Sequence, residues 1–232
     1  MVGKVKSPSG STFDFGPFAG DYESWYTTPE GKAHDLVQQR DVTAVLKNGP
    51  SSGRLLEVGC GTGHWSRFFR SLGYEVHGVD VSEEMIAVAR KNVPECSFDI
   101  GDARDLLFSE ASFDIVASIT ALEFIQAPEG AIMEMARCAR PGGSLVIGTL
   151  NRMAPVNRDR LEKGEEPYAS GHLFSPDELM DVIAPLGETA ITASTLDQGQ
   201  GAPRILGAED RSLFGEFLKG PLLAAVVRLP ER

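Results

Sequence analysis

Between residues 54 and 187 the chain alternates short apolar runs with stretches whose apolar positions recur at helical spacing. The apolar runs predict strands at 55–58, 75–79, 97–100, 113–119 and 144–148. Those at 113–119 and 144–148 carry almost no polar residue, as expected of central strands covered on both faces. The spaced stretches predict helices. Trp65, Phe68, Phe69 and Leu72 form one stripe, closed by Gly73. Ser82 opens a second helix, with Glu83 and Glu84 placed to complement its dipole. Pro128 suits the first turn of a third, which carries Ile132, Met135, Ala136 and Ala139. Ser175-Pro176-Asp177-Glu178 reads as a capping box before the stripe Leu179, Val182, Ile183 and Leu186, ended by Gly187. Strands at 191–196 and 222–228, with a short helix near 209–218 between them, complete the rhythm. Repeated βα units of this kind build a mostly parallel, doubly wound α/β sheet.

Three segments stand outside that alternation. Residues 1–12 read as a flexible tail. Residues 13–50 hold a cluster of aromatics (Phe13, Phe15, Phe18, Tyr22, Trp25, Tyr26) and a helix expected near 32–47. Residues 151–172 are polar and follow a central strand, where loops of about twenty residues are usually functional or disordered. Their basic residues Arg152, Arg158, Arg160 and Lys163 are interleaved with Asp159, Glu162, Glu165 and Glu166, which reads as a solvated, salt-bridged loop. The expected organisation is a tail and N-terminal cap over 1–50, a ligand-binding core over 51–150, a lid-like loop over 151–172, and the remainder of the same domain over 173–232. Residues 13–34 and 151–172 are expected to cover the substrate side of the site.

Charge narrows the partners. The chain has 22 basic and 33 acidic residues, a net charge of −11, which argues against a phosphate backbone as the main partner. No apolar run approaches the ~18 residues of a membrane span, and no apolar stretch follows the first lysines as in a secretory leader. Cys60, Cys96 and Cys138 are far apart and form no metal-ligand spacing, so neither a metal nor a disulfide framework is expected and a reducing cytoplasm fits best.

The chemistry concentrates in LLEVGCGTGHWSRFF, residues 55–69. A strand runs into Gly59-Cys60-Gly61-Thr62-Gly63 and then into a helix, so a ligand can approach bare backbone and the N–H groups that open the helix. The dinucleotide fingerprint needs a third glycine or alanine where His64 or Ser66 stands, which disfavours a nicotinamide-dependent oxidoreductase. No phosphate-loop motif occurs. Asp80 follows the second strand, where a carboxylate can accept both hydroxyls of a ribose. Asp102 follows the third and can accept from an adenine amino group, with the next N–H reaching a ring nitrogen. Thr120–Glu123 follow the fourth. Parallel strands bring all four carboxyl ends to the one sheet edge where open α/β sheets bind ligands.

These pieces together resemble the class I S-adenosylmethionine-dependent methyltransferases, in particular the small-molecule branch related to quinone-biosynthesis enzymes. The matching segments are LLEVGCGTG (55–63), VHGVDVSEEMI (76–86), IGDARDLLFSEASFDIVASITALEFI (100–125) and RPGGSLVIGT (140–149). The resemblance implies a Rossmann-like, seven-stranded sheet, its last strand antiparallel and inserted beside the fifth, and S-adenosyl-L-methionine as cofactor. It places the methionine part on Gly59, Cys60, Gly61 and Gly63 with Glu57 supporting the amino group, the ribose on Asp80, and adenine on Asp102 and Ala103. Val81 and Thr120 complete the expected cofactor residues. Many relatives carry a histidine where this chain has Phe124, so no role for that histidine transfers. Candidate bases are therefore Glu123, His172, His34, Tyr22 and Tyr26. The expected function is methyl transfer to a small-molecule acceptor. A tRNA or protein substrate, and a non-catalytic cofactor-binding partner subunit, are the alternatives.

Overall fold

The computed structural model describes residues 10–47, 49–196 and 201–231. One eight-stranded sheet organises them: β1 (Gly53–Val58), β2 (Tyr74–Asp80), β3 (Ser97–Ile100), β4 (Phe113–Ile119), β5 (Ala139–Leu150), β6 (Glu188–Thr192), β7 (Leu206–Gly207) and β8 (Leu222–Arg228). Their spatial order is β3-β2-β1-β4-β5-β8-β6-β7. The pairs from β3 to β5 are parallel, whereas β8 runs antiparallel between β5 and β6. The closing strand is thus inserted beside the fifth as expected. The sheet has eight strands rather than seven, because β7 adds a two-residue antiparallel pairing on β6. The strand expected at 191–196 lies earlier, with Thr192 its last residue.

The helices are α1 (Ser24–Thr27), α2 (Pro29–Leu46), α3 (His64–Ser71), α4 (Glu83–Asn92), α5 (Pro128–Cys138), α6 (Pro155–Glu162), α7 (Pro176–Ile183) and α8 (Phe214–Phe217). The sheet separates two apolar layers. One gathers Ile132 and Met135 of α5 and Leu179 and Ile183 of α7 against Val116, Leu145 and Leu223. The other sets Val42 and Val45 of α2 and Trp65 and Phe69 of α3 against Leu55, Ile115 and Val146. Both faces of β4 and β5 are buried, which is why their sequences lack polar alternation. Ser175 caps α7 through a complete capping box with Glu178. The buried Asp41 carboxylate accepts from the N–H and hydroxyl of Ser194, fastening α2 beside the end of β6.

Two segments differ from the sequence expectation. Residues 10–12 are not loose: Ser11 bridges to Ile125 and the Thr12 N–H donates to the Phe124 carbonyl at 2.8 Å. The rest of the expected tail, residues 1–9, lies outside the described residues. Residues 151–172 hold α6 and a 3₁₀ turn at Tyr168–Ser170 rather than an open loop. The helix is short and has no continuous apolar stripe, so its periodicity is invisible in the sequence. Pro155 at its first turn and the buried Asn157 anchor it, with the Asn157 amide donating to the carbonyls of Asn151 and Pro221.

Candidate active site

The carboxyl ends of β1, β2, β3 and β4 open into one cleft, at the point where the strand order reverses between β1 and β4. After β1, the N–H groups of Gly59 and Cys60 both donate to the Val79 carbonyl, pinning the glycine loop to the neighbouring strand. Gly59 has φ +75°, and a Cβ there would collide with the Cβ of Ala121, so glycine is required at the turn. At Gly61, by contrast, no atom lies within 4 Å of the Cβ position: this face of the loop is open to a ligand. Thr120, a non-glycine residue at φ +52°, holds the end of β4 through its N–H to the Gly148 carbonyl at 2.7 Å.

Gly59, Gly61, Asp80, Val81, Asp102, Ala103 and Thr120 all wall this cleft. Its cavity volume is about 90 Å³, and about 750 Å³ when all the empty space, including that open to solvent, is counted. Asp80 accepts from the Gly61 N–H and from the Ser82 N–H, each at 2.9 Å, so it braces the loop and the start of α4 while facing the cleft. Burial raises its pKa, opposed by the hydrogen bonds from Ser82, Gly61 and Val81. Asp102 is held by Arg104 through contacts of 3.0 and 2.7 Å, and that guanidinium keeps its carboxyl below the usual range. A ring amino group would share the remaining lone pairs. The Ala103 N–H makes no hydrogen bond among the described residues and is free to serve a ring nitrogen.

Glu57, Cys60 and Gly63 stand behind the loop instead of on the cleft wall. Glu57 is fully buried beneath the first turn of α3 and accepts from the Ser66 hydroxyl. Burial, with a smaller contribution from Asp80, pushes its pKa up to about 8. Cys60 packs among Ile86, Ala89, Val93 and Phe98, and burial drives its thiol pKa well up.

Missed in the sequence is the strap of residues 10–15. Gly10, Ser11, Phe13 and Phe15 wall the same cleft, and Gly10 lies against the Asp102–Arg104 pair. The expectation that the N-terminal aromatics serve only the substrate side is therefore corrected. Phe13, Phe15, Tyr22, Thr120 and Phe124 wall both this cleft and a second cavity of about 460 Å³ beneath α1, α2 and α6. The second cavity is lined largely by aromatic rings, with Tyr22, Trp25 and Tyr26 on one side and Tyr168 on the other.

The candidate bases separate. Tyr22 and Tyr26 face the second cavity, as does His34, whose pKa is lowered mainly by burial. Tyr22 is pushed up to about 12, first by burial and then by Glu123 and Asp80. Glu123 is fully buried off both walls, where the Thr149 hydroxyl and the Leu150 N–H donate to it at 3.1 and 3.2 Å. Burial raises its pKa to about 7. His172 is exposed with its ring edge-on to Phe174, and belongs to neither wall. His64, not singled out as a candidate, ties the cap to the loop: its Nε2 lies 2.8 Å from Asp35 and its ring stacks on Tyr26 at 3.6 Å. Glu23 completes this latch by accepting from the Thr62 hydroxyl at 2.5 Å.

A family profile described as a methyltransferase domain matches residues 56–147. An uncharacterised protein of Methanocaldococcus jannaschii is 29% identical over 78% of this chain and 83% of its own length. Malonyl-acyl-carrier-protein O-methyltransferase of Enterobacter lignolyticus is 33% identical, over 62% of this chain and 59% of that enzyme. Ubiquinone biosynthesis O-methyltransferase of Xanthomonas axonopodis is 32% identical, over 64% and 65%. The chain thus spans about three-fifths of these two enzymes. A SAM-dependent methyltransferase of Thermotoga maritima shares the fold at TM-score 0.70, with 24% identity over 92% of this chain and 97% of that one. So does the partner of the Trm112 methyltransferase activator in a complex from Haloferax volcanii, at TM-score 0.67 and 20% identity over 98% and 100%. The sheet and its ligand edge are those of an open α/β fold that binds its ligand where the strand order reverses. Over residues 56–147 the chain is thus similar to the S-adenosylmethionine-dependent methyltransferases, and over nearly its whole length it shares their fold.

Among the described residues no helix is long and apolar enough to cross a membrane, and no group of three or more His, Cys, Asp or Glu gathers as a metal site.

Proposed function

We propose that the protein transfers the methyl group of S-adenosylmethionine to a small-molecule acceptor held in the aromatic cavity beneath the cap. The observation that carries this reading is the shared wall: Phe13, Phe15, Tyr22, Thr120 and Phe124 face the cofactor cleft on one side and the second cavity on the other. The cofactor's residues fit its chemistry. A carboxylate at the end of β2 suits ribose hydroxyls, an unpartnered N–H at Ala103 suits an adenine nitrogen, and the open face of Gly61 leaves room for the amino-acid part. When bound, the cofactor would supply an electrophilic methyl carbon to an acceptor lone pair, its carbon–sulfur bond breaking with the electron pair left on sulfur.

The chain's own contribution is alignment and exclusion of water, which can lower a barrier by about 7–11 kcal/mol. Tyr22 and Tyr26 are poor bases, since burial disfavours their phenolate forms, but both can donate hydrogen bonds to an acceptor. Glu123 braces β5 and His172 faces solvent. No single base is therefore indispensable. Glu123→Gln, His172→Ala, Tyr22→Phe and Tyr26→Phe should each retain measurable single-turnover activity, with losses within the roughly hundred- to ten-thousand-fold range of acid–base assistance. Complete loss in one, with fold and cofactor affinity intact, would show a dedicated base.

The direct test is release of S-adenosylhomocysteine across a panel of phenols, quinone precursors, amines and carboxylic acids, run with and without candidate protein partners. Turnover on a small acceptor by the chain alone supports the reading. Turnover only on tRNA or protein, or none without a partner, supports the alternatives.

A further inference from the structure

We propose that the acceptor is a planar aromatic acid whose anionic group is anchored by Arg160. The proposal rests on the methyl-transfer reading only for which end of the acceptor meets the cofactor. At about 460 Å³ the cavity suits a compact organic molecule, and rings dominate its wall. Flat aromatic surfaces favour a flat apolar body in offset or edge contact.

The charge on that wall is unevenly placed. Arg160, on α6, is half-buried with its guanidinium 4.5 Å above the Tyr168 ring. Its side chain makes one long hydrogen bond, 3.4 Å to the Asn157 amide oxygen, and no described carboxylate lies within 4.0 Å of it. Elsewhere the protein pairs arginine readily: Arg104, Arg137, Arg140, Arg152 and Arg211 each hold a carboxylate at 2.6–2.8 Å. In a chain with eleven more acidic than basic residues, an unpaired guanidinium on an aromatic cavity wall is fitted to an anion brought by the ligand. The other inner polar groups are neutral donors. Gln38 is buried and its amide makes no hydrogen bond among the described residues, while the lowered pKa of His34 favours its neutral ring. The two acidic groups that touch the cavity, Asp21 and Glu166, are exposed, and Glu166 already accepts from Ser170. Arg160 belongs to the second cavity alone, whereas Thr120, Tyr22 and Phe124 are shared, so the anion sits at the far end and the nucleophilic atom at the junction.

The test uses three catechols that differ in tail charge: caffeate, its neutral methyl ester and dopamine. Each is titrated calorimetrically into the full chain saturated with S-adenosylhomocysteine, so binding is read without turnover. Caffeate should bind at least about tenfold more tightly than the ester, and dopamine weakest, as expected of a charge-assisted contact. Arg160→Gln should abolish the preference for caffeate over the ester, while S-adenosylhomocysteine affinity, unchanged, reports an intact fold. Equal or tighter binding of the ester or dopamine overturns the proposal. So does an undiminished preference in Arg160→Gln, or no binding of any probe to the native chain. Tight caffeate binding without methyl transfer to any acceptor leaves the anchor standing and removes the methyl-transfer reading instead.

Discussion

At the scale of single residues, Asp80 does two jobs with one carboxylate. It accepts from the N–H groups of Gly61 and Ser82, and it faces the cleft where ribose hydroxyls would add two further donors. Asp80→Ala removes hydrogen bonds to a charged acceptor, each worth about 1.5–3 kcal/mol, so cofactor affinity should fall about ten- to a hundredfold by calorimetry. Unchanged affinity would falsify the ribose assignment. Glu123 makes a different prediction. Its folded pKa, about 7, lies above the ordinary 4.5, so the folded state holds this proton more tightly than the unfolded state. The stabilisation that follows is fully present below about pH 4.5 and is lost as pH rises towards and through 7. Glu123→Gln, which cannot ionise, should therefore gain in melting temperature relative to the native protein between pH 5 and pH 8. A gap that stays constant across that range would show that Glu123 titrates at its ordinary value.

At the scale of elements, the parts legible in the sequence are those whose pattern has one cause. β4 and β5 are buried on both faces, so unbroken apolar runs announced them. The glycine loop, Asp80, Asp102 and Thr120 were legible because each follows a strand whose end must lie on the same edge. α6 was not, because its short, charged sequence is anchored by Asn157 and proline rather than by an apolar stripe. Nor was the strap of 10–15, whose place depends on backbone bonds to residues more than a hundred positions away. Glu57 and Cys60, adjacent to the cleft in sequence, fall behind it because β1 and its turn direct those side chains into the layers under α3 and α4. Phe13 and Phe15 of the strap and Tyr22 wall both cavities, so deleting residues 1–28 should weaken S-adenosylhomocysteine binding as well as abolish turnover. Calorimetry and a turnover assay on the truncated chain check this. Full cofactor affinity in that chain would return the strap to the substrate side alone.

At the scale of the whole molecule, the cofactor cleft gathers segments remote in sequence: the strap near residue 10, the glycine loop near 60, the start of α4 near 82, and the turns at 101–103 and 120–125. A ligand that requires all of them binds the folded chain and not the unfolded one. Its stabilisation is then set by mass action, about 2.7 kcal/mol at a concentration one hundred times the Kd. For a chain of 232 residues, 1 kcal/mol moves the melting temperature by about 2–4 °C, so S-adenosylhomocysteine at that concentration should raise it by about 5–11 °C. NADH at the same concentration should not, since His64 and Ser66 occupy the positions where a pyrophosphate-binding loop needs its third small residue. The Asp80→Ala protein should need about ten to a hundred times more S-adenosylhomocysteine for the same shift. Differential scanning of the native and substituted chains against both ligands decides the matter. A shift with NADH equal to that with S-adenosylhomocysteine, or none with the latter at millimolar concentration, would overturn the assignment of this sheet edge to the methyl-donor cofactor.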